Sequence, residues 1–189
     1  MVTKIYEVRL DVPIQRVWDF HNDPNALRVL TPDDIPIQWI SSEHKIREGA
    51  IHEFKTKQMG LPMRWKAKIH QVEEPYGFRD TALKSPFKSW THKHEFIDAE
   101  GQTIVRDTIT YTPPGGIFRS LINTLFIEDR LDNLFKYRHT AMHDMIETEP
   151  VKINEELIGA SDHYASDFDP EIAGDIPGVE ETADKGFLT

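Results

Sequence analysis

Residues 85–111, SPFKSWTHKHEFIDAEGQTIVRDTITY, predict a β-hairpin that closes at the turn Ala99-Glu100-Gly101. Side chains along a strand alternate between the two faces of a sheet. One face of the first strand therefore carries two aromatic rings flanking two imidazoles, whereas the other carries Lys, Glu and hydroxyl groups suited to water. The residues predicted to share the inner face of the hairpin are Trp90, His92, His94, Phe96, Val105, Asp107, Ile109 and Tyr111.

This mixture of side chains has two interpretations. Apolar walls with a few convergent polar groups are typical of pockets for small molecules. Alternatively, His92 and His94 lie in a dry core, where each ring is satisfied by a hydrogen bond and does nothing else. The alternation is compatible with both interpretations.

Composition narrows the class of protein. A chain of 189 residues with 39% hydrophobic content is long enough for one domain with a substantial core. The formal net charge of −10 argues against a nucleic-acid binder, which usually has a basic face. The chain has no cysteine, which excludes disulfides and thiolate chemistry. Since no apolar run reaches the roughly 20 residues that span a bilayer and the start alternates polar and apolar residues, we expect a cytoplasmic protein with no integral membrane segment and no signal peptide.

The rest of the body predicts a sheet interrupted early by helices. A strand is expected at the start, then a helix opened by Pro13, then a short helix signalled by Asp23-Pro24. A meander of antiparallel strands follows, ended by the Pro-Pro-Gly-Gly run at 113–116. The predicted strands are 4–12, 38–42, 50–58, 63–72 and 78–84, besides the hairpin, and the predicted early helices are 13–22 and 23–30.

The C-terminal part divides into a helix and an acidic tail. Apolar residues recur near a period of 3.6 from about Ile117 to Glu147, which predicts one long helix. Residues 150–189 contain ten acidic residues against two lysines and therefore carry −8 of the total charge. We expect a domain over 1–149 and an acidic, flexible tail over 150–189. A protein-interaction module within that tail is the alternative.

Four segments together resemble the helix-grip superfamily (SRPBCC), which includes START lipid-transfer domains, polyketide cyclases/dehydrases and plant pollen-allergen proteins. They are DVPIQRVWDFHNDPNAL (11–27), GLPMRWKAKI (60–69), GFRDTALKSPFKSWTHKHEF (77–96) and VRDTITYTPPGG (105–116). The chain is most similar to a bacterial ligand-binding subgroup that is polyketide cyclase/dehydrase-like. The resemblance implies an α+β, helix-grip fold: a curved antiparallel β-sheet wrapped around a long C-terminal helix, with two short helices after the first strand.

Such a fold often leaves a cavity between sheet and helix, which favours the binding of a small hydrophobic ligand, such as a lipid or a polyketide-like molecule, by a carrier or sensor. The alternative is a solid core with no room for a ligand. Neither oligomeric state nor ligand identity can be inferred from the sequence. The residues expected to bind the ligand are His52, Phe54, Trp65, Asp80, Trp90, His92, His94, Asp107, Tyr111 and Phe126.

A cyclase or dehydratase is the alternative function, because a His beside a carboxylate suits removal of a proton next to a carbonyl. The candidate catalytic residues are His92, His94 and Asp80, with Asp107 as a second possible partner for the imidazoles. Either Tyr111 or Arg64 would polarise the carbonyl. No nucleophile motif is present, since the chain has neither G-x-S-x-G nor cysteine.

Metal binding is the third kind of site to weigh against ordinary hydrogen bonding. His92 and His94, two residues apart on one strand, would ligate together with His52 or Asp80, and His139 and His143 lie four apart on the predicted helix. Pairs without a tight third ligand are weak signals. The sequence therefore favours hydrogen-bonded histidines, and we predict neither a metal nor a cofactor.

Overall fold

A seven-stranded antiparallel sheet forms the body of the protein in the computed structural model, which describes residues 1–58 and 61–147. The strands run in the order β1-β7-β6-β5-β4-β3-β2, so the first strand pairs with the last. In each of the remaining neighbouring pairs, the two strands are consecutive in the chain. The strands are β1 (Val2–Leu10), β2 (Ile37–Trp39), β3 (Ile51–Gln58), β4 (Leu61–Glu73), β5 (Gly77–Lys84), β6 (Ser89–Ala99) and β7 (Gln102–Thr112).

Two short helices separate β1 from β2, as the sequence predicts. Helix α1 (Ile14–His21) begins directly after Pro13 and buries one face, and α2 (Ala26–Val29) is a single turn. The second helix is shorter than expected because the Asp23 carboxylate accepts a hydrogen bond from the backbone N–H of Asn25 (2.7 Å), which forms a turn before the helix. Strand β1 also ends before the predicted limit, at Leu10.

The C-terminal helical run is continuous from Gly116 to Glu147 but is not one regular α-helix. It consists of a 3₁₀ turn (Gly116–Phe118), α3 (Arg119–Ile122), a π-helical segment (Asn123–Ile127), α4 (Glu128–Met142) and a second π-helical segment (His143–Glu147). Asn123 and Leu131 are both buried although they lie eight residues apart. Eight residues of regular α-helix rotate by about 800°, which is about 80° more than two full turns and would turn the two side chains away from each other. The π-helical segment between them rotates less per residue, which keeps both side chains on the buried side.

Two clusters of buried apolar residues fill the space between sheet and helices. The first packs α1 and the end of the C-terminal run against one end of the sheet, and includes Trp18, Phe20, Phe78 and Phe96. The second packs α4 against the other end, and its buried members are Trp90, Ile109, Tyr111, Leu131 and Phe135. The inner face of the sheet is therefore apolar at both ends.

Gly77 sets how closely β5 approaches β6. Its φ is +143°, and a Cβ at this position would lie 2.1 Å from the carbonyl oxygen of His94. Any other residue would push the two strands apart at this point. The strands therefore meet tightly beside His94.

The α+β helix-grip prediction is confirmed by this architecture: an antiparallel sheet, two early helices and a C-terminal helix. The proposed tail over 150–189 lies outside the described residues. Among residues 1–58 and 61–147, no helix is both long and apolar enough to cross a membrane.

Candidate functional site

A polar layer crosses the inner face of the sheet between the two apolar clusters. It consists of Asp80 on β5, His92 and His94 on β6, and Asp107 on β7. The strand register places Asp80 opposite His92 and His94 opposite Asp107. The alternation seen in the sequence, with two imidazoles between two aromatic rings, therefore becomes a spatial layer.

Each imidazole of the polar layer lies between both carboxylates. His92 Nε2 donates a hydrogen bond to Asp107 Oδ1 (2.8 Å), and His94 Nε2 donates one to Asp80 Oδ2 (3.3 Å). The second nitrogen of each ring faces the other carboxylate: His92 Nδ1 lies 3.6 Å from Asp80 Oδ2, and His94 Nδ1 lies 3.0 Å from Asp107 Oδ1. The latter contact is too poorly angled for a hydrogen bond, so this buried nitrogen has no hydrogen-bond partner among the described residues.

Burial and charge give the two imidazoles different protonation behaviour. Burial and the neighbouring His94 lower the pKa of His92. Burial also disfavours the charged form of His94, but its contacts with Asp107 and Asp80 outweigh this and raise the pKa of that ring. Burial alone would raise the pKa of Asp107, yet the two imidazoles hold it well below its usual range. The polar layer therefore pairs a ring that is harder to protonate than a free imidazole with a ring that is easier to protonate.

Helical residues close the polar layer on the side away from the sheet. The His92 ring meets Phe135 of α4 edge to face at 5.7 Å, and the guanidinium of Arg138 lies 5.0 Å from the centre of the same phenyl ring. Arg138 Nε donates to the carbonyl oxygen of Leu30 (3.1 Å). His21 of α1 lies 6.2 Å from the His94 ring.

An aromatic array leads away from the polar layer along the inner face. We define it as Trp39, Phe54, Trp65, Phe87, Trp90 and Tyr111. Consecutive rings lie in contact range, with Trp65 and Trp90 edge to face at 5.2 Å. Trp90 and Tyr111 are buried, whereas Phe54, Trp65 and Phe87 keep part of their surface exposed. The array therefore contains three aromatic residues that the rest of the fold does not fully cover.

The structure brings most of the predicted ligand-binding residues together, but Phe126 lies apart and His52 lies at the margin of the aromatic array. Phe126 is 50% exposed and lies outside both apolar clusters. His52 donates through Nε2 to the carbonyl oxygen of Lys45 (3.0 Å) and lies against Trp39. The eight others lie in the polar layer or the aromatic array.

The groups expected to polarise a carbonyl are already engaged. Arg64 alternates with Trp65 along β4, so it points to the opposite face, where it pairs with Glu53. The Tyr111 hydroxyl donates to Asn123 Oδ1 (2.7 Å).

Of the two helical histidines considered as metal ligands, His143 pairs with Glu147 (3.1 Å).

Sequence reasoning missed three residues that contact the site. Phe87 lies in the loop between β5 and β6, where no periodicity marks a side chain as inward, yet it meets Trp90 at 4.8 Å. Phe135 lies within the helix predicted over 117–147, but the helical period does not report that its ring covers His92. The position of His21 beside His94 depends on how α1 packs on the sheet, which local pattern does not report.

Comparison with known proteins agrees with the architecture. The family model described as "Polyketide cyclase / dehydrase and lipid transport" matches residues 10–135. The chain is similar to protein CV1439 from Chromobacterium violaceum (13% identity, 78% of this chain and 99% of that chain, TM-score 0.62). It is also similar to TTHA0849 from Thermus thermophilus (20% identity, 74% of this chain and 96% of that chain, TM-score 0.57). A third similar structure is the ginseng major latex-like protein 151 from Panax ginseng (12% identity, 77% of this chain and 97% of that chain, TM-score 0.58). At these identities the likeness shows the fold alone, and no curated protein sequence matches the chain.

Proposed function

Because the chain belongs to the polyketide cyclase / dehydrase and lipid transport family, we propose that it binds a small hydrophobic ligand, such as a lipid or a polyketide-like molecule, as a carrier or sensor. The ligand lies between the sheet and the C-terminal helix. The observation that carries this proposal is the aromatic array, in which Phe54, Trp65 and Phe87 are partly exposed.

The partly exposed rings supply the binding energy. Burying about 100 Å² of ring surface under a ligand contributes about 2.5 kcal/mol at roughly 25 cal/mol per Å². Phe54, Trp65 and Phe87 offer such surface on three separate chain segments. A flat or extended apolar ligand covers several of these rings at once, which explains why a chain would leave them uncovered.

The polar layer supplies orientation. It lies beside the buried end of the array, since Trp90 and His92 follow each other on the inner face of β6. A hydroxyl, carbonyl or carboxylate on the ligand reaches this layer while the apolar part covers the rings. A few fixed polar groups beside apolar walls are how small-molecule sites select a ligand.

Native mass spectrometry of the freshly purified full chain tests for a co-purified hydrophobic molecule. Quantitative binding is then measured with 1-anilinonaphthalene-8-sulfonate and its displacement by oleate. We expect Trp65→Ala to weaken probe binding roughly 10- to 100-fold, since it removes one ring contact. Tyr76→Ala is the matched control, because Tyr76 is 59% exposed in the β4–β5 turn. Equal affinities of the two variants would contradict the proposal.

A cyclase or dehydratase is the second candidate, favoured by the opposite pKa shifts of His92 and His94. In an aldol cyclisation, neutral His92 removes a proton from the carbon next to one carbonyl, and the resulting carbanion attacks a second carbonyl. Protonated His94, held by Asp80, gives its proton to the oxygen of that second carbonyl. Asp107 stabilises the charge that His92 gains.

Turnover of a polyketide-like diketone separates the enzyme from the carrier. Replacing a general base costs about 10²-fold or more in rate while binding changes little. We therefore expect His92→Ala to lose turnover and keep affinity for the fluorescent probe if the protein is an enzyme. Equal turnover of the wild type and the His92→Ala/His94→Ala variant would leave the carrier alone.

A further inference from the structure

We propose that Asp80, His92 and His94 form a site for a divalent transition-metal ion of the zinc type, with Asp107 orienting the imidazole of His92 and facing that of His94. One nitrogen from each ring and one carboxylate oxygen of Asp80 lie within 4.8 Å of one another. This inference goes beyond the hydrophobic ligand and holds whether or not that ligand binds.

The spacing of the ligand atoms matches tetrahedral zinc. Ligand atoms that surround an ion at about 2.0–2.2 Å lie about 3.3–3.6 Å apart. Asp80 Oδ2 lies 3.3 Å from His94 Nε2 and 3.6 Å from His92 Nδ1. These two edges of the tetrahedron are therefore already formed, and all three ligand atoms lie within 4.8 Å of one another, so a small movement of the rings brings them around one ion.

Asp107 has the position of an outer carboxylate. In protein zinc sites the ring nitrogen that does not bind the ion usually donates to a carboxylate, which fixes the ring. Asp107 Oδ1 accepts from His92 Nε2 at 2.8 Å and lies 3.0 Å from His94 Nδ1. One oxygen thus faces the outer nitrogen of both rings, while the inner nitrogens converge on Asp80.

The chemistry of this set selects the class of ion. Calcium and magnesium prefer oxygen ligands, whereas two imidazoles and one carboxylate suit zinc and its neighbours. The side chains of Asp80 and Asp107 are 15% and 5% exposed, so both carboxylates of the layer are largely shielded from bulk water and favour a compensating positive charge. Three protein ligands leave a fourth position for water or for an oxygen of the bound ligand.

Calorimetric titration of Zn²⁺ into the metal-stripped full chain tests the proposal. We expect one ion per chain, and X-ray absorption at the zinc edge to report two imidazole nitrogens and one carboxylate oxygen at about 2.0–2.2 Å. The spectrum needs no variant, so it stands even where a substitution damages the fold. A shell of water and carboxylate oxygens alone would overturn the proposal.

Variants locate the ion. His94→Ala and Asp80→Ala are expected to weaken zinc affinity by at least about 100-fold, and Asp107→Asn by about 10- to 100-fold. His52→Ala and His143→Ala are the matched controls and are expected to bind zinc as the wild type does. Circular dichroism confirms that each variant is folded. Zinc binding that survives in His92→Ala/His94→Ala, or that is lost in His143→Ala, would overturn the assignment. The probe-displacement assay is run without zinc, so failure of one proposal is separate from failure of the other.

Discussion

Replacing Asp107 by asparagine is the most direct test of how the polar layer is held together. The substitution keeps the shape of the side chain and removes its charge. In the wild type, this carboxylate is 4% exposed, accepts a hydrogen bond from His92 Nε2 at 2.8 Å and lies 3.0 Å from His94 Nδ1. The variant therefore leaves His94, whose pKa the two carboxylates raise, with Asp80 as its one contacting carboxylate in the layer.

The size of the effect follows from burial. A hydrogen bond to a charged group contributes about 1.5–3 kcal/mol, and breaking a buried ion pair by removing one partner costs about 3–5 kcal/mol. Because these two effects describe the same contacts, they are not added. We expect Asp107→Asn to lower the free energy of unfolding by about 3–5 kcal/mol near pH 6.

The pH dependence gives a second signature. The pKa of His94 is raised in the folded state, so its stabilising contribution is fully present below the unfolded pKa of about 6.5 and is lost as pH rises through the folded value. The stability difference between Asp107→Asn and the wild type is therefore expected to be largest near pH 6 and to shrink toward pH 9.

Urea unfolding followed by tryptophan fluorescence and circular dichroism measures this difference at both pH values. Asp98→Asn is the matched control, because Asp98 is an exposed carboxylate on the same strand as the histidines, and its effect is expected to stay within about 0.5 kcal/mol. The reasoning is refuted if the two variants differ by less than about 1 kcal/mol near pH 6, or if the deficit of Asp107→Asn grows toward alkaline pH.

Three further outcomes are expected. Phe135→Ala removes a fully buried ring that stacks on Tyr6 at 4.2 Å. We expect urea unfolding to show a loss of about 3–5 kcal/mol in the free energy of unfolding. A loss below about 1 kcal/mol would show that the ring is not a core element. Burial lowers the pKa of His21 to about 4, so the free energy of unfolding of the wild type should fall by up to about 3 kcal/mol as pH falls from 6.5 to 4. Thermal unfolding of His21→Asn should lack most of this pH dependence. An unchanged pH dependence would contradict the assignment. Gly77→Ala should lower the melting temperature more than Gly101→Ala does. Of these two substitutions, only Gly77→Ala places a Cβ against backbone, 2.1 Å from the His94 carbonyl oxygen. Equal decreases in melting temperature would mean that the two strands separate easily.

The sheet could be predicted from the sequence because its signals are local. Strict alternation in β6 and β7 fixes which side chains share a face, and Gly and Pro mark the turns. The C-terminal run was predicted as regular because Leu131, Leu134 and Phe135 follow a helical period. The π-helical segment before them depends on which residues the sheet buries, and the sequence period does not report that requirement.

The candidate site was predicted in part. Alternation is sufficient to place His92, His94 and Asp107 on one face, since all three lie on one hairpin. The contact of Phe87 with Trp90 and the closure of the layer by Phe135 depend on loop conformation and helix docking, which are tertiary properties. Phe126 was expected to bind the ligand, but it lies in the irregular part of the C-terminal run and is half exposed. The outward direction of Arg64 follows from the same alternation, which was not applied to that residue.

The shared charge of the polar layer also limits how this sequence can diverge. The carboxylates of Asp107 and Asp80 raise the pKa of the buried His94 ring, so a change at Asp107 alone removes one of the two charges that favour its protonated form. In descendants of this chain, an apolar residue at 107 is therefore expected to appear together with an apolar residue at 94. Neighbours such as Lys93 and Thr108 lie on the opposite face of the sheet, so their substitution does not depend on the charge of the polar layer. These paired exchanges would leave a trace of covariation across β6 and β7.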